Sequence, residues 1–178
     1  MTDQISSPRA TELAAPTVDI VSPQAIRTLF WRPRFLADEP AVDHLPLLFW
    51  LVEALAPTTT LDLGCRAGVA HLAFCQAVDK LGLEARCLAV GAWSNGLPDP
   101  LRRHSAEFYE EISQLICAPA GLAPSLTGSG SVDLLHVDLA ALAAEGAPTD
   151  PEALLAAWLP HLGDRGVVVL QATSVLDA

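Results

Sequence analysis

Leu61-Asp62-Leu63-Gly64-Cys65-Arg66-Ala67-Gly68 joins a β-branched, apolar run, Thr58 to Leu63, to a run with apolar residues at helical spacing, Val69 to Leu81. A strand, a glycine turn and a helix in that order form half of a βαβ unit. Gly64 lets the chain bend sharply and Gly68 lets the helix approach closely, while the helix opens with free N–H groups that face a ligand. The stretch therefore reads as a nucleotide-cradling turn. Two glycines four apart also serve tight turns that hold no ligand, so the flanking periodicities carry the reading.

Outward from this turn the pattern repeats. Ala85 to Val90 is a second strand, Trp93 to Pro100 a turn-rich loop, Leu101 to Ser113 a helix and Leu115 to Ala118 a third strand. Pro119 to Gly130 is a small-residue connector, and Val132-Asp133-Leu134-Leu135-His136-Val137-Asp138 is a fourth strand ending in an acid. Asp150-Pro151 gives an N-cap with proline at the first helical position, opening a helix through Leu159, and Gly166 to Leu170 is a continuous apolar fifth strand. Upstream, Ser22-Pro23 starts a short helix that Pro33 stops, and Val42 to Leu55 carries a stripe of Leu45, Leu48, Phe49, Val52 and Leu55. The expectation is an α/β fold with a doubly wound, mostly parallel sheet that ends after the fifth strand, extra N-terminal helices, a flexible leader over 1–20 and one domain over 21–178.

Composition narrows the function classes. At 178 residues and 51% apolar content the chain supports one domain with an ample core. A formal net charge of −11, with 10 Lys plus Arg and no basic run, argues against nucleic acid and anionic membrane surfaces as partners. Leu45 to Ala56 is too short to span a bilayer, and the N-terminus lacks the basic start and apolar core of a signal peptide. Cys65, Cys75, Cys87 and Cys117 show no ligand spacing, so they read as reduced core cysteines of a cytoplasmic protein, with no metal.

Phe49-Trp50-Leu51-Val52-Glu53-Ala54-Leu55, the Asp62-Leu63-Gly64 loop, Ala73 to Val78, Val132 to Asp138, and Trp158-Leu159-Pro160 followed by Gly166-Val167-Val168 together resemble bacterial S-adenosylmethionine-dependent methyltransferase domains. The subgroup they resemble is often found beside glycosyltransferases of surface polysaccharide pathways. The likeness runs over about residues 26 to 174. It implies a Rossmann-like methyltransferase fold, with Gly64 and Gly68 around the methionine part of S-adenosylmethionine and Asp62 at its amino end. The acid that normally holds the ribose hydroxyls is replaced by Gly91 in Val90-Gly91-Ala92-Trp93. If the rest of the pocket is intact, Gly91→Asp is expected to strengthen cofactor binding roughly ten- to hundredfold. Relatives follow the acid matching Asp138 with glycine and then histidine, and show His-Asp-Thr after the fifth strand. Here the sequence has Leu139-Ala140-Ala141, opening an alanine-rich insertion, and Gln171-Ala172-Thr173.

Each candidate residue also has a plain structural reading. Asp138 is either a cofactor contact or a cap of the following turn, Arg66 either meets an anion or is a solvated loop charge, and Trp93 either stacks on adenine or fills the core. His136 reads as a satisfied core histidine, His71 as facing solvent and Glu53 as solvated or capping. The cofactor-binding candidates are thus Asp62, Gly64, Arg66, Gly68, Trp93 and Asp138, with weak or no binding of S-adenosylmethionine expected. The favoured expectation is a methyltransferase fold that has lost catalytic and cofactor groups and serves as a binding or assembly module, a homo-oligomer or protein complex formed through the fifth-strand edge. The alternative is an active O-methyltransferase acting on a sugar or other small hydroxyl compound.

Overall fold

The structure, a computed structural model, describes residues 27–147 and 149–172. The leader, the Ser22-Pro23 helix start and the residues after Ala172 lie outside the described residues. Five parallel strands, β1 (Thr59–Leu63), β2 (Arg86–Gly91), β3 (Ser113–Cys117), β4 (Val132–Asp138) and β5 (Leu162–Gln171), form one sheet in the order β3-β2-β1-β4-β5. The expected doubly wound fold is therefore present, and β1, buried along its whole length, lies at its centre.

Strand alternation divides the core. Cys87, Ala89 and Leu134 face helices α1 (Leu45–Leu55) and α2 (Val69–Leu81), together with Leu101 of α3 (Asp99–Phe108). Leu61, Leu63, Leu88, Val90, Leu135 and Val137 face the other layer, made by the 3-10 helix Ala120–Leu126, α4 (Leu139–Ala144) and α5 (Pro151–Trp158). On the first face His71 is fully buried rather than solvent-facing, its Nε2 standing 2.7 Å from Ser113 Oγ. Burial pushes its pKa down to about 4.

Several element bounds differ from the sequence reading. The helix expected from Val42 begins as a 3-10 turn, Pro40–His44, and becomes α-helical only at Leu45. Helix α3 stops at Phe108 because Tyr109, buried and packed against His104, turns to φ −140°. That turn lets Ser113 enter the sheet two residues earlier than expected, and Ile112 O, just before the strand, accepts the Cys87 N–H. The segment after Asp138 is no loose insertion: Asp138 Oδ1 accepts from Ala140 N and Ala141 N and so caps α4. Asp150 caps α5 in the same way, as read from the sequence. All four cysteines are free thiols, but Cys117 is exposed and not a core residue.

Candidate functional site

The glycine turn folds over the end of β2, with Gly64 N–H and Cys65 N–H both donating to Val90 O. Gly64 has φ +80° and Gly68 has φ +92°, values that favour glycine. The close approaches these glycines allow are made by the chain itself. A Cβ on Gly64 would stand 2.8 Å from Leu142 Cδ1 of α4, and one on Gly68 would stand 2.4 Å from Leu101 Cδ1.

The N-terminus of α2 is filled too. Gly68 offers no capping side chain, and Glu39 reaches in from 30 residues upstream to accept the Val69 N–H at 3.1 Å. Burial pushes Glu39 up to about 7 and the charge of Asp62 adds to it, while the Val69 hydrogen bond and Arg66 pull the other way. Nothing in the sequence around Glu39 signals this role.

Asp62 and His136 are direct register partners in β1 and β4, and their side chains meet at 2.7 Å beneath α2, Asp62 Oδ1 to His136 Nδ1. Both are buried. Burial opposes the Asp62 charge, but the His136 hydrogen bond and charge outweigh it and hold the carboxyl below its usual range. The same pair raises His136 against its own desolvation. His136 is thus a paired core histidine. Its partner is the Asp62 carboxylate, through Oδ1.

The remaining candidates close over the strand ends. Arg66 Nη2 stands 2.8 Å from Asp138 Oδ2, so Asp138 is both helix cap and ion-pair partner. The indole of Trp93 lies across Gly91 and donates from Nε1 to Arg66 O at 3.0 Å. Glu145, which the sequence reading missed, accepts from Ala92 N at 3.4 Å and Ala120 N at 3.2 Å. Outside these contacts an open cleft of about 420 Å³ remains, lined by Cys65, Arg66, Trp93, Asn95, Ala141 and Glu145 among others. Of the six candidates only Arg66 and Trp93 line it.

The first N–H of α2, that of Val69, is held by Glu39. The position of the ribose acid admits no side chain, because a Cβ on Gly91 would stand 2.3 Å from Cys65 O and 2.7 Å from the Trp93 ring. The expectation that Gly91→Asp restores a ribose anchor is corrected on that ground. Among the described residues no group of three or more His, Cys, Asp or Glu side chains is placed to hold a metal ion.

Comparison with known proteins places this geometry. An uncharacterised protein of Sinorhizobium fredii, y4gI, is 31% identical over 161 residues, an alignment covering 82% of this chain and 16% of that protein. This chain therefore spans about one-sixth of that relative's length. Among solved structures, a caffeoyl-CoA O-methyltransferase candidate from Staphylococcus aureus superposes with a TM-score of 0.56 at 15% identity, covering 77% of this chain and 59% of that one. A Geobacter sulfurreducens methyltransferase superposes with a TM-score of 0.54 at 14% identity, covering 77% and 72%. These two likenesses are ones of fold. A methyltransferase-domain family profile matches residues 61–171, more than half of the chain, and the chain belongs to that family.

Proposed function

We propose that this chain is a methyltransferase-fold domain that has lost its catalytic and cofactor groups and serves as a binding or assembly module. The observation that carries this reading is the filling of the glycine turn by the chain's own groups: Glu39 on Val69 N, Arg66 on Asp138 and Trp93 across Gly91. Its likeness to one short segment of a much longer relative suits a module. Calorimetric titration with S-adenosylmethionine and S-adenosylhomocysteine tests it, since micromolar binding of either rules the reading out.

The partner surface in this proposal is the free edge of β5. Among the described residues β5 pairs only with β4, and an unpaired edge is a template for another strand. Val167 and Val169 are half-buried against the α1–α2 core, so the edge backbone rather than these side chains makes the contact. Light scattering over a concentration series is expected to show a homodimer or larger species, and a chain that stays monomeric overturns this surface. Thr173→Lys or Ser174→Lys, at positions outside the described residues, is expected to weaken association. No helix of the described residues is long and apolar enough to cross a membrane, in keeping with the cytoplasmic location we propose.

The cleft of about 420 Å³ favours a second reading, an active O-methyltransferase of small hydroxyl compounds, possible only if Glu39 and Trp93 move. Methyl transfer to a sugar acceptor in the presence of S-adenosylmethionine would establish it.

A further inference from the structure

We propose that the layer opposite α2 carries a second contact surface, where the 3-10 helix Ala120–Leu126 and α5 of one chain pack against the same two elements of a second copy, with leucines of each copy seated in a groove of the other. This surface is separate from the free edge of β5. It does not depend on whether the glycine turn binds a ligand.

The sequence of α5 does not suit a helix with one side in water. Of Pro151-Glu152-Ala153-Leu154-Leu155-Ala156-Ala157-Trp158 only Leu154 and Trp158 are buried. After the first turn the outward positions, which a surface helix fills with polar side chains, carry Ala153, Leu155, Ala156 and Ala157, all exposed. The 3-10 helix Ala120–Leu126 has no charged residue and exposes Leu122 and Leu126, while Leu159, the residue after α5, is 63% exposed. Four of the nine large apolar side chains exposed among the described residues thus lie on these two elements or directly after them. Apolar exposure gathered in this way marks a partner surface.

Between the two elements lies a groove of about 190 Å³, lined by Leu63, Pro124, Leu142, Ala153, Ala157 and Trp158 among others. No charged side chain lines it, and it shares no residue with the cleft over the glycine turn. A cavity of about 150 Å³ holds a benzene ring, so this one has room for the four-carbon side chain of a leucine. Charge and shape together pick the occupant. Residues 118–132 and 151–161 contain no Lys or Arg and a single acid, Glu152, in a chain of net charge −11. A face without these cations offers nothing to nucleic acid or anionic lipid, and a face with almost no charge is where two copies of an acidic chain meet with least repulsion. The surface also holds both halves of a contact, a groove walled by alanines and leucines of the size to enter it. A two-fold axis brings each half of one patch onto the other half of its copy, as an isologous contact requires.

Sedimentation equilibrium over a concentration series tests this surface on wild type, Leu122→Glu, Leu159→Glu, Ala157→Phe and, as a control, Leu47→Glu, which lies exposed on α1 in the other layer. Wild type is expected to self-associate. Leu122→Glu and Leu159→Glu each place a carboxylate in an apolar contact and should weaken association by about tenfold or more, whereas Leu47→Glu should leave it unchanged. Ala157→Phe adds apolar area but fills the groove, so it should weaken association too. Tighter association of Ala157→Phe would mean that apolar area alone holds the copies together, and overturns the seated leucines. Circular dichroism melts check that each variant is folded, and Leu122→Ser and Leu159→Ser carry the test should a glutamate variant not fold. Association that Thr173→Lys weakens but Leu122→Glu and Leu159→Glu do not overturns this surface and leaves the β5 edge. A wild-type chain that is monomeric throughout the series overturns both.

Discussion

Replacing Glu39 with glutamine should stabilise the protein at alkaline pH and leave it unchanged in acid. The folded state raises the Glu39 pKa from 4.5 to about 7. The protonated form is therefore preferred in the folded chain, and ionisation costs stability as pH rises from the unfolded value through the folded one. Each pKa unit corresponds to about 1.4 kcal/mol, so the cost is absent near pH 4, grows through pH 5 to 7 and reaches roughly 3 kcal/mol by pH 8. Glutamine keeps an oxygen to accept the Val69 N–H and carries no charge to desolvate. In a domain of this size that difference is about 6–12 °C in melting temperature. Urea unfolding of both proteins, followed by circular dichroism at half-unit steps from pH 4.5 to 8.5, isolates the effect, because every other titrating group is common to the two. A stability gap that does not change with pH, or a glutamine variant less stable than wild type at pH 8, would refute the buried-carboxylate account.

Other substitutions test the remaining contacts. Gly91→Asp should destabilise by about 1–3 kcal/mol or more through overpacking against Cys65 O, with no gain in S-adenosylmethionine affinity on calorimetry. Gly64→Val combines a positive φ with a close approach to Leu142 and should cost about 2–5 kcal/mol in urea unfolding, and an unchanged melting temperature would show the turn to be relaxed. His136→Leu leaves Asp62 buried without its partner and should cost about 3–5 kcal/mol, whereas the double change Asp62→Leu with His136→Leu should recover much of that loss. Asp62 is lowered, so its contribution is lost as pH falls through its folded pKa; His136 is raised, so its contribution is lost as pH rises through its folded pKa. The pair's full stabilisation therefore lies between the two ordinary values, and the penalty of His136→Leu should be largest near pH 5 to 6.

Elements with a strong local signal were legible in the sequence. Val132–Asp138 and Val69–Leu81 have the bounds that their apolar patterns and flanking turn residues gave, and the helix starting after Asp150 follows from its cap and proline. The start of β5 was not legible, because Leu162-Gly163-Asp164-Arg165 mixes glycine with charge and joins the sheet through an irregular register opposite Val132. The site was harder still. The pairing of Asp62 with His136 depends on the register between strands 74 residues apart, and the capping of α2 by Glu39 crosses 30 residues. Asp138 shows why the alternatives at one residue were not exclusive. One carboxylate oxygen caps α4 while the other faces Arg66.

These contacts also satisfy the groups that such a turn leaves without partners of its own. A strand-to-helix turn shaped to meet a ligand leaves an uncapped helix start, a gap beside its glycines and loop groups that need partners. Here each has an internal partner: Val69 N has Glu39, the space beside Gly64 has Leu142 and Ala141, and Ala92 N and Ala120 N share Glu145. What fills the helix start is an acceptor of the right shape rather than a charge, since burial disfavours the ionised Glu39 that occupies it.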